Sequence, residues 1–107
     1  MTTTHLKGSL DLLLLAVLKA GPAHGYAVIT ALRERSGGEF DLPEGTVYPA
    51  LHQLERQGLV SSAWDTSSGR RRRVYSLTRR GASALGERSA EWHSFRRGVQ
   101  AVLAVPA

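Results

Sequence analysis

Four consecutive guanidiniums, Arg70, Arg71, Arg72 and Arg73, are the most pronounced chemical feature of this chain. Between residues 59 and 81, six arginines stand against one acid, Asp65, a surplus of five. The whole 107-residue chain holds 14 Lys and Arg against 9 Asp and Glu, a net charge of +5. The rest of the molecule is therefore neutral, and the excess sits in one patch. Adjacent like charges repel; a polyanion relieves that repulsion and releases its own counterions. Nucleic acid is the commonest partner of such a patch. The rival reading is a solvated charged strand, and it is weakened by the lack of nearby acids. Strand alternation would split the run: Arg71 and Arg73 share the face of Tyr75 and Leu77, while Arg70 and Arg72 point the other way.

A second set of polar residues lies upstream: Gly45, Thr46, Tyr48, Pro49 and His52. Hydroxyls at Thr46 and Tyr48 can donate to phosphate oxygens. The imidazole of His52 can reach a base edge or a phosphate. The same residues could equally be the plain surface of a core helix.

Other chemistry finds little support. With no cysteines there is no disulfide, no thiol nucleophile and no Cys-based metal site. The histidines at 5, 24, 52 and 93 have no paired ligand spacing, so no metal is expected. No Gly-rich phosphate loop, nucleophile elbow or HExxH motif occurs. Glu87 and Glu91 are four apart on a helical stretch and read as surface. Neither enzymatic activity nor a cofactor is expected. Lys7, the run Leu10–Leu18 and Ala20–Ala23 loosely imitate a signal peptide, but Asp11 interrupts the run and Lys19 closes it. The run is about half the length a membrane span needs. The expectation is a cytoplasmic protein with no membrane partner.

The elements that must position these residues follow from periodicity. Ser9 reads as an N-cap, and Leu10, Leu13, Leu14, Val17 and Leu18 keep helical spacing until Gly21-Pro22. Leu12, Leu15 and Ala16 make this helix apolar almost all round, which asks for cover on every side. A second helix opens at His24-Gly25-Tyr26 and runs to about Arg35, with Val28, Ala31 and Leu32 inward. Phe40–Leu42 is a short extended piece. Pro43 suits the first position of a third helix, whose inner face is Val47, Ala50, Leu51 and Leu54 and whose end is Gly58. At about 100° per residue, Gly45, Pro49, His52 and Arg56 lie opposite that face, flanked by Thr46, Tyr48 and Gln53. Pro49 should weaken or bend this helix.

Leu59–Thr66 and Arg70–Leu77 read as two strands joined by a Ser67-Ser68-Gly69 turn, a hairpin with an arginine-rich arm. Thr78 caps a last helix to about Val105. Leu85, Trp92, Phe95, Val99 and Val102 recur at steps of seven, three, four and three, an apolar seam of coiled-coil type. Together with Leu10 and Leu14 they are the expected homodimer interface. The fold class is mainly α with a small β-hairpin: a winged helix-turn-helix (1–78) followed by a long C-terminal dimerisation helix (79–107). In that arrangement the third helix enters the major groove of double-stranded DNA, and the hairpin follows the phosphates or the minor groove.

The wording of the chain resembles the PadR family of bacterial transcriptional regulators over nearly its whole length. The matching stretches are Leu6-Lys7-Gly8-Ser9-Leu10-Asp11-Leu12-Leu13-Leu14-Leu15 and Gly21-Pro22-Ala23-His24-Gly25-Tyr26, then Gly45-Thr46-Val47-Tyr48-Pro49-Ala50-Leu51-His52-Gln53-Leu54-Glu55 with Gly58-Leu59-Val60. Gly69-Arg70-Arg71-Arg72-Arg73-Val74-Tyr75-Ser76-Leu77-Thr78 completes them. Leu42 departs from the family, which often has a Ser or similar cap there. The resemblance implies a homodimeric regulator, a repressor on an inverted-repeat promoter operator, with the third helix as reader. It also implies that Tyr26 lies near the DNA backbone, as a secondary contact. Some members hold flat aromatic compounds between tryptophans of the stretch that Glu91-Trp92 matches, which makes a small aromatic effector at Trp92 one reading and plain interface packing the other. Two other functions remain open from the residues: an RNA-binding winged helix, and a basic module that docks an acidic protein.

Overall fold

The leucine-rich first segment folds into a helix against which each of the other helices packs. The computed structural model describes the backbone of residues 3–104 and the side chains of residues 9–104. Helix α1 (Thr3–Lys19) buries Leu14 and Leu15 completely, with Leu10, Val17 and Leu18 nearly so. It starts earlier than expected, so Ser9 lies inside it and is no N-cap. A serine caps a helix only where its own backbone is non-helical, and here Ser9 is itself within the helix. Lys19 and the turn at Ala20-Gly21 end it, with Ala20 and Gly21 amides donating to the carbonyls of Val17 and Leu18.

Strand β1 (Ala23–His24) leads directly into α2 (Gly25–Arg35). His24 is the N-cap of α2: the Ala27 amide donates to its Nδ1 at 3.3 Å. Phe40–Leu42 pairs with no strand among the described residues; Phe40 and Leu42 are spent on the core instead. Helix α3 (Glu44–Arg56) starts one residue later than expected. Pro43 is its extended N-cap, and the Pro43 carbonyl accepts from the amides of Thr46 and Val47. The proline ring's φ suits the cap as well as the first helical turn, so nothing in the residue type decides between them. The helix runs unbroken through Pro49. It closes on Gly58, whose φ of 78° is the left-handed conformation such an ending requires. The Gly58 and Leu59 amides then return to the carbonyls of Glu55 and Leu54.

Strands β2 (Val60–Asp65) and β3 (Arg72–Leu77) form the hairpin, in register from Val60 opposite Leu77 to Asp65 opposite Arg72. Both are shorter than expected, which puts Arg70 and Arg71 in the connection. The sheet has a third strand that periodicity did not reveal: β1 pairs with β3, giving the antiparallel order β1-β3-β2. The core runs from α1 through Val28 and Leu32 of α2, Val47, Leu51 and Leu54 of α3, to Val60 and Tyr75 of the sheet. Each such side chain contributes roughly 1.5–3 kcal/mol by leaving water.

Helix α4 (Arg79–Leu103) follows β3 after one residue. The hydroxyl of Thr78 accepts from the Gly81 amide at 3.0 Å and donates to the Gly58 carbonyl at 2.8 Å. The Thr78 amide donates to the Leu59 carbonyl at 3.2 Å. This one residue ties the start of α4 to the end of α3. The first half of α4 packs on α1, with Leu85 buried and Arg88 3.5 Å from Asp11. From Ala90 to Ala104 every residue is exposed, so the second half leaves the body. The expected end of this helix at Val105 lies outside the described residues. Three helices and a hairpin in this order make a winged helix-turn-helix.

Candidate nucleic-acid interface

The inner face of α3 buries Val47, Leu51 and Leu54 completely, and that burial fixes which way the other face looks. Gly45, Pro49, His52, Gln53 and Arg56 are exposed and Thr46 is half-buried. The helix thus presents a narrow polar ridge, as its periodicity predicts. Arg56 donates to Gln53 at 2.6 Å, which occupies both side chains at the C-terminal end of the ridge. The ring of His52 tilts over Tyr75 with centroids 6.4 Å apart, so its position is set from below by a buried side chain.

Tyr48 turns toward α2 and lies against Gly25; a Cβ on residue 25 would meet its ring, with the phenol oxygen 2.8 Å away. Burial, and secondarily the Glu44 carboxylate, hold its phenol above the ordinary value, so it stays an O–H donor at physiological pH. Tyr26, one residue into α2, is exposed. His24 is drawn two ways. Its Nδ1 accepts from Ala27, while its Nε2 lies 3.0 Å from the Arg72 guanidinium. A neutral imidazole has one acceptor nitrogen, so it cannot accept from both.

The wing does not treat its arginines alike. Arg70, Arg71 and Arg72 are exposed, and Arg72 leans toward His24 on β1. Arg73 is half-buried: its Nε donates to Ser62 Oγ at 2.8 Å and its Nη2 lies 3.6 Å from Glu55 Oε2. The Ser62 hydroxyl donates to the same Glu55 carboxylate at 2.6 Å. The alternation holds, since Arg71 and Arg73 both lie by the ring of Trp64. At the tip, the Ser67 amide donates to Asp65 Oδ1 at 2.9 Å, and Gly69 to the Thr66 carbonyl.

Residues 14–87 match the model of the transcriptional regulator PadR-like family. The chain belongs to that family. Its sequence is 44% identical over 55 residues to the transcriptional regulator Rv3488 of Mycobacterium tuberculosis, a match covering 51% of each protein. The chain therefore aligns with about half of that relative. Its fold is similar to a PadR family transcription regulator from Clostridium difficile, with a TM-score of 0.81 and 34% identity over 90% of this chain and 99% of the other. A PadR-like regulator from Bacillus cereus matches with a TM-score of 0.85 and 25% identity, over 97% and 100%. These proteins are transcriptional regulators, not enzymes.

In this PadR-like regulator, α3 and the wing form adjoining surfaces, joined through Glu55 and Arg73. The residues expected to pair two chains fall into two groups. Leu10, Leu14 and Leu85 are 8%, 0% and 6% exposed and belong to the chain's own core. Leu14 has no surface left to offer a second chain and Leu10 and Leu85 have little, so a single chain already accounts for their burial. Periodicity had placed them on the right stripe; it does not say what covers that stripe. Trp92, Phe95, Val99 and Val102 are exposed, joined by Leu103, and the rings of Trp92 and Phe95 lie 6.1 Å apart. An open apolar groove is lined by Phe95, Gly98, Val99, Val102 and Leu103. Two further residues, Trp64 and Glu55, escaped the sequence reading. Register could have found Trp64, which stands opposite Arg73, but only once the length of the turn was known. Among the described residues, no helix is long and apolar enough to cross a membrane.

Proposed function

We propose that this PadR-like regulator is a cytoplasmic, homodimeric repressor that binds an inverted-repeat operator in promoter DNA. Residues 1–78 are the DNA-binding unit and 79–107 the dimerisation helix. The observation that carries the reading is the concentration of the net charge on a wing that adjoins the exposed polar ridge of α3. Thr46 and His52 face the bases, Gly45 lets the backbone approach closely because it has no side chain, and Pro49 lies on the same ridge. Tyr48, Tyr26, Arg70, Arg71 and Arg72 meet phosphates, and a phosphate oxygen between Arg72 and His24 would accept from both. The exposed half of α4 supplies the second half of the argument. An apolar stripe of that length is rarely left in water, and a second copy of the chain covers it best. Two-fold pairing then sets two reading heads about 34 Å apart, one turn of duplex. A flat aromatic effector would enter beside Trp92.

The test is binding to the DNA upstream of the chain's own gene, with a salt titration and a scrambled competitor. A steep salt dependence and preference for the upstream duplex support the reading. Preference for structured RNA in direct competition, or equal binding to all duplexes with tighter binding to an acidic protein, would replace it.

A further inference from the structure

Arg73 is engaged from two sides. Ser62 on β2 and Glu55 on α3 hold it in a closed set: Arg73 donates to Ser62, Ser62 donates to Glu55, and Glu55 faces the Arg73 charge. The set bridges the reader helix and both strands of the wing. Its side chains are 40% and 29% exposed at Arg73 and Glu55, so as an ion pair it adds little stability. Its effect is geometric, since it fixes the angle between hairpin and helix. An acid beside a phosphate-binding surface repels the ligand, a cost that is offset where the acid holds a cation in place. Trp64 is engaged too. The Arg71 guanidinium lies 4.1 Å from the centre of its ring and that of Arg73 lies 5.2 Å away. A stacked guanidinium has given up much of its rotamer freedom before any ligand arrives.

We propose that Arg73 is a strut and not a phosphate ligand, tied by Glu55 and Ser62 to the reader helix, and that Trp64 is the platform that holds Arg71 forward as a working cation of the wing. Glu55 and Trp64 are then positioning residues. The inference rests on the DNA-binding reading above and divides the four arginines into two kinds.

The experiment measures the slope of log affinity against log salt, for a duplex from upstream of the gene and for a scrambled duplex. Arg71→Ala is expected to reduce the slope by about 0.9 on both, the value of one neutralised phosphate. Arg73→Ala leaves the slope unchanged and lowers affinity for the upstream duplex about tenfold, with a smaller loss on the scrambled one. Arg73→Lys keeps the charge, loses the fork and behaves like Arg73→Ala. Glu55→Gln frees Arg73, so it steepens the slope while weakening preference for the upstream duplex. Trp64→Ala lowers affinity with little change of slope, and Trp64→Phe restores part of it. A slope reduced by Arg73→Ala as much as by Arg71→Ala overturns the strut and leaves the DNA-binding reading intact. So does tighter, equally selective binding by Glu55→Gln, the result of merely deleting an acid. A slope unmoved by Arg71→Ala overturns the role given to Arg71 and Trp64, whereas a parent chain that binds neither duplex overturns the DNA-binding reading itself.

Discussion

The ring of Tyr48 occupies the space that a side chain on Gly25 would fill. Helix α3 and the start of α2 are therefore fitted to each other through one phenol, and the fit needs a residue without Cβ at position 25. Tyr48 is only half-buried, so its ring has solvent to swing into. Gly25→Ala should fold, with a loss of about 1–3 kcal/mol or less. What it should lose is the position of the phenol. A hydrogen bond to a charged phosphate is worth roughly 1.5–3 kcal/mol, so Gly25→Ala and Tyr48→Phe should each weaken DNA binding tenfold or more. The double variant should be no worse than the worse single one. Additive losses would separate the two residues.

The ridge of α3 gives the prediction for selectivity. Thr46→Ala or His52→Ala should cost about 1–3 kcal/mol on the preferred duplex and little on a scrambled one. Equal losses on both would make these residues phosphate ligands.

The two exposed arginines that lie off the Trp64 face test the other side of the wing. Arg70→Ala combined with Arg72→Ala should weaken binding to every sequence, and the salt slope should fall by about 0.9 for each phosphate left without its cation. In the same variant His24 is left with a single claim on its ring, the Ala27 amide. Its cap should therefore remain, and thermal unfolding should not move.

For the exposed stripe of α4, Phe95→Glu with Val102→Glu places two charges on side chains that are 64% and 73% exposed in one chain. The fold should tolerate both. Sedimentation should then report a monomer, and binding to an inverted repeat should drop to that of a single head. A double variant that sediments as a dimer would move the interface elsewhere.

The tip of the wing carries a pH dependence. The Ser67 amide, then its hydroxyl, then the Arg72 charge hold the Asp65 carboxyl below the usual carboxylate range. A group lowered on folding contributes fully above its unfolded value, and the contribution is lost as pH falls through the folded one. The Ser67 amide resonance should therefore move as pH drops below about 4, and Asp65→Asn should abolish that titration.

Much of this was legible from the chain alone, because the helices are amphipathic. The spacing of Val47, Leu51 and Leu54 named the inner face of α3, and with it the ridge outside. Thr78 announced the start of α4 by its residue type and makes the cap it promised. Strand β1 was invisible, since Ala23 and His24 are too few to show any alternation. The division among the arginines was hidden for another reason. It depends on which residue of β2 stands opposite Arg73, and a turn of unknown length leaves that register open. Leu85 continues the stripe of Trp92 and Phe95, yet one chain covers it and leaves the others bare.

Between the wing and α4 there is a single residue, and its polar groups are committed: the amide to Leu59, the hydroxyl to Gly58 and from Gly81. Such a joint has no slack. A helix of 25 residues, roughly 37 Å long, takes its angle from that joint together with the packing of its first half on α1. One degree of error there displaces the far end by about 0.6 Å for a helix of this length. For the pair proposed above, the two heads are the jaws of a calliper, and Thr78 is where its opening is set. Operators with one base pair more or less between half-sites would then be rejected at a residue that touches no DNA.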